Sequence, residues 1–127
     1  MGKSSSWSYS RTSAEISTDI TKLTEQKQNL ISVSNKYTDT QRKLVKIRND
    51  IDNVWETEAA QVFKRGLDKQ IKSVEKLAGL YSDLAKIIDK RLNELEDERK
   101  KAHEAEVRIE EIMAKVKQSI REALGAK

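Results

Sequence analysis

The stretch LDKQIKSVEKLAGLYSDLAKIIDKRLNEL, residues 67–95, decides the fold. Leu67, Val74, Tyr81, Ile88 and Leu95 recur at steps of seven, and Ile71, Ala78, Ala85 and Leu92 follow each of the first four by four residues. Steps of four and three return a side chain to the same face of an α-helix, so the stretch predicts one long helix with an apolar stripe. The first series continues through Ala102, Ile109 and Val116. The companion series is interrupted at Arg99 and Glu106 and resumes at Met113 and Ile120. Leu77, Leu84, Ile87 and Ile112 widen the stripe. Gly66 and Gly79 lie inside the pattern, where glycine costs about 1 kcal/mol against alanine. They read as small residues placed for close helix packing.

Upstream, Ile16, Leu23, Leu30, Tyr37, Leu44 and Ile51 repeat at the same step. Their companion position is mostly polar: Ile20, Lys27, Ser34, Gln41, Arg48 and Trp55. A seam broken in this way argues against a simple self-pairing zipper and for a helix packed on another helix of the same chain. The first helix starts near Thr12-Ser13, where a hydroxyl can cap free backbone N–H groups. Asn49-Asp50-Ile51-Asp52-Asn53 competes with the helix for backbone hydrogen bonds, which places a turn at about residues 52–57. Asp52 or Asn53 ends the first helix in this reading, and Thr57 caps the second.

Composition agrees. The 127 residues include no proline, no cysteine and four glycines, with 36% charged and 5% aromatic. Such a chain reads as long helices and not as a compact globule. The absence of cysteine excludes a disulfide framework and thiolate metal sites. No apolar run approaches the roughly 20 residues that span a bilayer, and no signal-peptide apolar region begins the chain. Net charge is +4, but residues 91–127 hold nine basic and nine acidic side chains. Interleaving of this kind reads as a solvated helical surface and not as the basic stripe of a nucleic-acid binder. Residues 1–11 are Ser-rich and aperiodic, and read as a flexible tail. Met1-Gly2 with Ser6 matches a loose myristoylation pattern that needs a eukaryotic host.

At about 1.5 Å per residue, residues 12–52 make a helix of roughly 60 Å and residues 58–124 one of roughly 100 Å. The expected fold is therefore an all-α, elongated antiparallel helical hairpin (residues 12–95) with a C-terminal helical extension (residues 96–127) reaching beyond the first helix. The stripe from Leu95 through Ala102, Ile109, Ile112, Met113, Val116 and Ile120 is then left without a neighbour in the chain. Either the chain bends back near Glu96–Glu104 or the segment docks on another chain. The seam weakens there without a breaker, which favours a second chain, the commonest reason to keep such a stripe.

Nothing in the sequence points to catalysis. His103 stands among Lys100, Lys101, Glu104 and Glu106 as a solvated surface side chain. Metal sites need several ligands at fixed spacing, and no such set includes it. The acidic run Glu94, Glu96, Asp97 and Glu98 sits beside Arg99, Lys100 and Lys101. There is no glycine-rich phosphate loop, no nucleophile elbow and no Cys–His pairing. No enzyme activity, cofactor or metal is expected.

One cluster exceeds the heptad background: Val54-Trp55-Glu56-Thr57-Glu58-Ala59-Ala60-Gln61-Val62-Phe63. Trp55 is expected to fold over the helix junction. Ala59 and Ala60 let the helices close, and Phe63 continues the face of Trp55 and Ala59. This arrangement resembles the WXG superfamily, the helical-hairpin proteins of bacterial type VII (ESX) secretion. Trp55 matches the family tryptophan, Ala59 and Ala60 the small residues after the turn, and Phe63 the aromatic. Thr57 stands where the family has glycine, and neither Tyr81 nor Phe63 is followed four residues on by the acidic residue of the export signature.

The resemblance covers residues 12–95, with specific matches at 55–63. It implies a WXG-like adaptor or targeting chaperone that binds the helical N-terminal domain of an LXG toxin and promotes its export. A second small WXG-like protein is a further implied partner. The implied location is the cytoplasm, or secretion with the effector, in a Gram-positive bacterium. Two other classes compete. A structural coiled-coil protein would self-assemble into homo-oligomers, and a membrane-surface helix would bind anionic vesicles.

Overall fold

The computed structural model describes residues 11–125 and contains two α-helices, α1 (Ser13–Val54) and α2 (Glu58–Ala123), of 42 and 66 residues. The chain is all-α. Thr12 starts α1 as a capping box: its Oγ1 accepts from the Glu15 N–H at 3.1 Å, while Glu15 Oε1 accepts from the Thr12 N–H at 3.0 Å. Two of the unpaired donors at the helix start are thereby satisfied. Thr57 caps α2 through its Oγ1, which accepts from the Ala60 N–H at 3.2 Å. At the far end Gly125 has φ +74° and donates to the Glu122 carbonyl, the left-handed stop that glycine permits.

The turn is the three-residue connector Trp55–Thr57, within the expected window but shorter. Asp52 and Asn53 do not end α1, which runs on to Val54. The Asp52 carboxylate is engaged by the Lys64 ammonium and so does not compete for the backbone of its own helix.

The chain divides into two compact units. In the unit Leu23–Lys90 the helices run antiparallel across the connector, as successive partners show. Lys27 pairs with Asp89 at 2.6 Å, and Ser34 Oγ donates to the Ala78 carbonyl at 2.8 Å. The Tyr37 and Tyr81 rings stack with centroids 5.7 Å apart, and Arg48 pairs with Asp68. Ala60, Lys64, Leu67, Ala78 and Ala85 are buried. Leu30, Leu44, Ile51, Ile71, Val74 and Ile88 are half-buried around them. The polar companion position of α1 therefore faces α2, where Lys27, Ser34 and Arg48 each find a partner. The Ser34 bond reaches a backbone carbonyl, which requires the helices to approach closely at small Ala78.

The other unit combines residues 11–22 with 91–125. Ile16 and Leu95 are buried there. Glu106 receives the start of α1 with both carboxylate oxygens: Oε2 accepts from the Ser13 N–H at 2.9 Å and Oε1 from the Ser13 hydroxyl at 2.7 Å. Arg11 pairs with Asp19. The rest of the expected N-terminal tail, residues 1–10, lies outside the described residues, as do residues 126–127 and the Met1-Gly2 pattern.

Two expectations are corrected. Gly66 and Gly79 are not packing positions, since both are exposed and a Cβ on either would meet nothing within 4 Å. Leu95 does not belong to a free stripe, because it is 1% exposed. The first turns of α1 lie against α2 as far as Glu106, and so bury a leucine expected to be open.

Candidate partner-binding surface

The C-terminal part of α2 supplies the clearest candidate. From Val107 to Gly125 every described residue is exposed. Ile109 is 56% accessible, and Ile112, Met113, Val116 and Ile120 are each more than half exposed. They share one face at helical spacing, continuing in sequence the series that carries Leu67 to Leu95. An isoleucine, methionine or valine side chain contributes about 1.5–3 kcal/mol when fully withdrawn from water. Several such residues on one face form a contiguous apolar patch, which commonly marks an interaction site. Of the seven residues expected on this stripe, five stand on it, Ala102 is half-buried, and Leu95 is in the core.

The turn motif is arranged differently from the sequence expectation. Ala60 is fully buried, but Ala59 is exposed and Phe63 is 49% accessible. Trp55 and Thr57 lie in the connector, both exposed. Phe63 and Ala59 therefore do not continue the packed face. Trp55 precedes the helix, so counting in fours from it does not trace a helical face. The packed face instead runs Ala60, Lys64, Leu67, Ile71, in steps of four, three and four. Val54, Trp55, Ala59, Val62 and Phe63 are consequently apolar residues in contact with solvent around the turn.

Lys64, 6% exposed, is a functional-looking residue that the motif reading passed over. It lies seven residues before Ile71, in the companion series, and that spacing could have identified it. Its ammonium reaches the Asp52 carboxylate, whose pKa is lowered first by that hydrogen bond and then by the charge of Lys64. Every buried side-chain nitrogen and oxygen among the described residues has a hydrogen-bond partner. A second exposed apolar row, Leu77, Leu80, Leu84 and Ile87, lies on the outer surface of α2 in the Leu23–Lys90 unit. In sequence three of these residues read only as widening the core stripe.

The remaining charged candidates are neutralised or solvated. Arg91 binds Glu94 and Glu98, and Arg99 binds Glu96, so most of the acidic run is tied up within α2. His103 is exposed in a shallow depression with Ser13, Ser17, Arg99, Lys100 and Glu104. Glu106, hydrogen-bonded by the Ser13 backbone and then by its hydroxyl, has a lowered pKa. Among the described residues no group of three or more histidines, cysteines and carboxylates is arranged to hold a metal ion. None of their helices is long and apolar enough to cross a membrane.

Fold and surface together define an all-α, two-helix chain with an apolar face open on its longer helix. No protein-family model matches the chain, and searches of curated proteins and of solved structures find no match.

Proposed function

We propose that this chain is a non-enzymatic, WXG-like adaptor that binds the helical N-terminal domain of an LXG toxin and accompanies it to a type VII secretion machine. The observation that carries the reading is the open stripe from Ile109 to Ile120 on a helix whose upstream face is already packed. An amphipathic helical face of this kind is suited to a helix-on-helix partner. The antiparallel hairpin with Trp55 at its connector supports the assignment to the WXG-like class. Thr57 at the glycine position supports an adaptor subtype rather than a typical exported member. A second small WXG-like chain would complete the bundle, with the complex held in the cytoplasm before export.

The test is co-expression of the full chain with the helical N-terminal domain of an LXG toxin encoded beside it, followed by co-purification. The expected result is a stable complex that Ile112→Lys with Val116→Glu abolishes, while the circular dichroism of the adaptor keeps its helical signal. Retention of the complex by that double variant would show that the stripe is not the interface. Failure of the wild-type chain to co-purify would remove the toxin-adaptor reading.

A further inference from the structure

We infer that the free protein pairs with a second copy of itself through the C-terminal stripe, antiparallel, so that binding of another chain there is an exchange. The inference rests on the proposed function only in treating this stripe as a docking face. Its own support is the charge pattern along the stripe.

The stripe's seam is Ile109, Met113, Val116 and Ile120. Glu110 and Lys117 each follow a seam residue by one position and so lie along the same edge. Both are exposed, and neither side chain makes an ion pair or hydrogen bond among the described residues. When two such helices run antiparallel, like edges meet. Layering Ile109 on Ile120 of the second copy, and Met113 on its Val116, brings Glu110 opposite the other copy's Lys117. Two-fold symmetry then makes the same pair twice.

A parallel arrangement brings that edge against the opposite one, which carries Ala105, Ile112 and Ser119. The charges would then face uncharged residues and gain nothing. On the antiparallel opposite edge Ile112 meets Ser119 without a charge clash. Charge therefore selects the antiparallel second copy, while the apolar seam supplies the attraction. The two described helices do not compete, since no described residue covers this face.

The test exploits a chain with no cysteine. Ile109→Cys and Ile120→Cys are made singly in the full-length protein, and each is oxidised alone and in an equal mixture. Antiparallel pairing gives a disulfide-linked dimer in the mixture and little from either variant alone. Linkage of each variant with itself would show parallel pairing, and absence of any linkage would show no self-pairing; both overturn the inference. In parallel, sedimentation equilibrium on charge variants without cysteine should show that Glu110→Lys or Lys117→Glu weakens the dimer, each by roughly ten-fold. The double exchange Glu110→Lys with Lys117→Glu should restore it. Absence of restoration would refute the assigned pairing. These readouts contain no toxin domain, so they can fail while the adaptor reading stands, and can succeed if that reading fails.

Discussion

Leu95 and Leu80 are the same residue type on the same helix, 1% and 53% exposed, and truncating each to alanine tests the assignment of inner and outer faces. Leu95→Ala removes a fully buried side chain and leaves a cavity beneath the start of α1. Buried Leu→Ala changes cost about 2–5 kcal/mol. Two helices can close partly over the gap, which places this one near the lower end, at about 3 kcal/mol. For a chain of this size each kcal/mol moves Tm by about 3–6 °C, so a fall of roughly 10–15 °C follows. Leu80→Ala makes no cavity, and alanine's higher helix propensity offsets part of the lost contact. Its cost should stay below about 1 kcal/mol. Thermal and urea unfolding followed by circular dichroism at 222 nm, at one fixed chain concentration, measures both. A Leu95→Ala cost under about 1 kcal/mol, or equal costs for the two variants, would refute the burial of Leu95.

Three further outcomes follow from the same packing. Gly79→Ala should raise Tm by about 3–6 °C, because it adds about 1 kcal/mol of helix propensity into open space; a fall in Tm in thermal melts would show a hidden contact. Asp52→Asn should destabilise more than Lys64→Met. The first leaves a buried ammonium without its counter-charge, while the second leaves a carboxylate that water can reach; denaturant midpoints compare them, and the reverse order would contradict the burial of Lys64. Acid should loosen the unit closed by Glu106. Its folded pKa is lowered, so the stabilisation is full above the unfolded value of about 4.3 and disappears as pH falls through the folded value. Hydrogen exchange at the Ser13 amide between pH 5 and 3, corrected for the intrinsic rate, reports it, and Glu106→Gln should flatten the dependence.

The helices, both caps and the place of the turn were legible in the sequence, because heptad spacing and Thr12 and Thr57 act locally. What the sequence could not supply was the pairing between helices. Lys27, Ser34 and Arg48 read as interruptions of a seam, and only the packed hairpin shows each against its partner on α2. Leu95 reads as free because what buries it, the first turns of α1 lying against α2 as far as Glu106, is a long-range contact that no local pattern encodes. Counting from Trp55, a residue outside the helix, places Phe63 on the core face, where it does not lie. Size alone suggests a close contact at Gly79, whereas direction decides, and it points outward. The stripe at Ile109 to Ile120 is legible because it continues the core series past the point that the described part of α1 reaches.

A seven-residue repeat has an ambiguity built into it, since sliding one helix by a heptad lays apolar rows on apolar rows again. The polar positions of α1 remove that freedom in the Leu23–Lys90 unit. A slip of seven in one direction would set Lys27, Ser34 and Arg48 opposite Ser82, Ile71 and Gln61 and lose all three interactions. A slip of seven the other way would offer Glu96, Ala85 and Glu75 in their place. It parts Asp52 from Lys64 and Tyr37 from Tyr81, however, and needs a connector longer than three residues. The interruptions that weaken the stripe as a hydrophobic surface therefore work as the notches of a key. They give up some apolar contact, and in return the hairpin closes in one alignment.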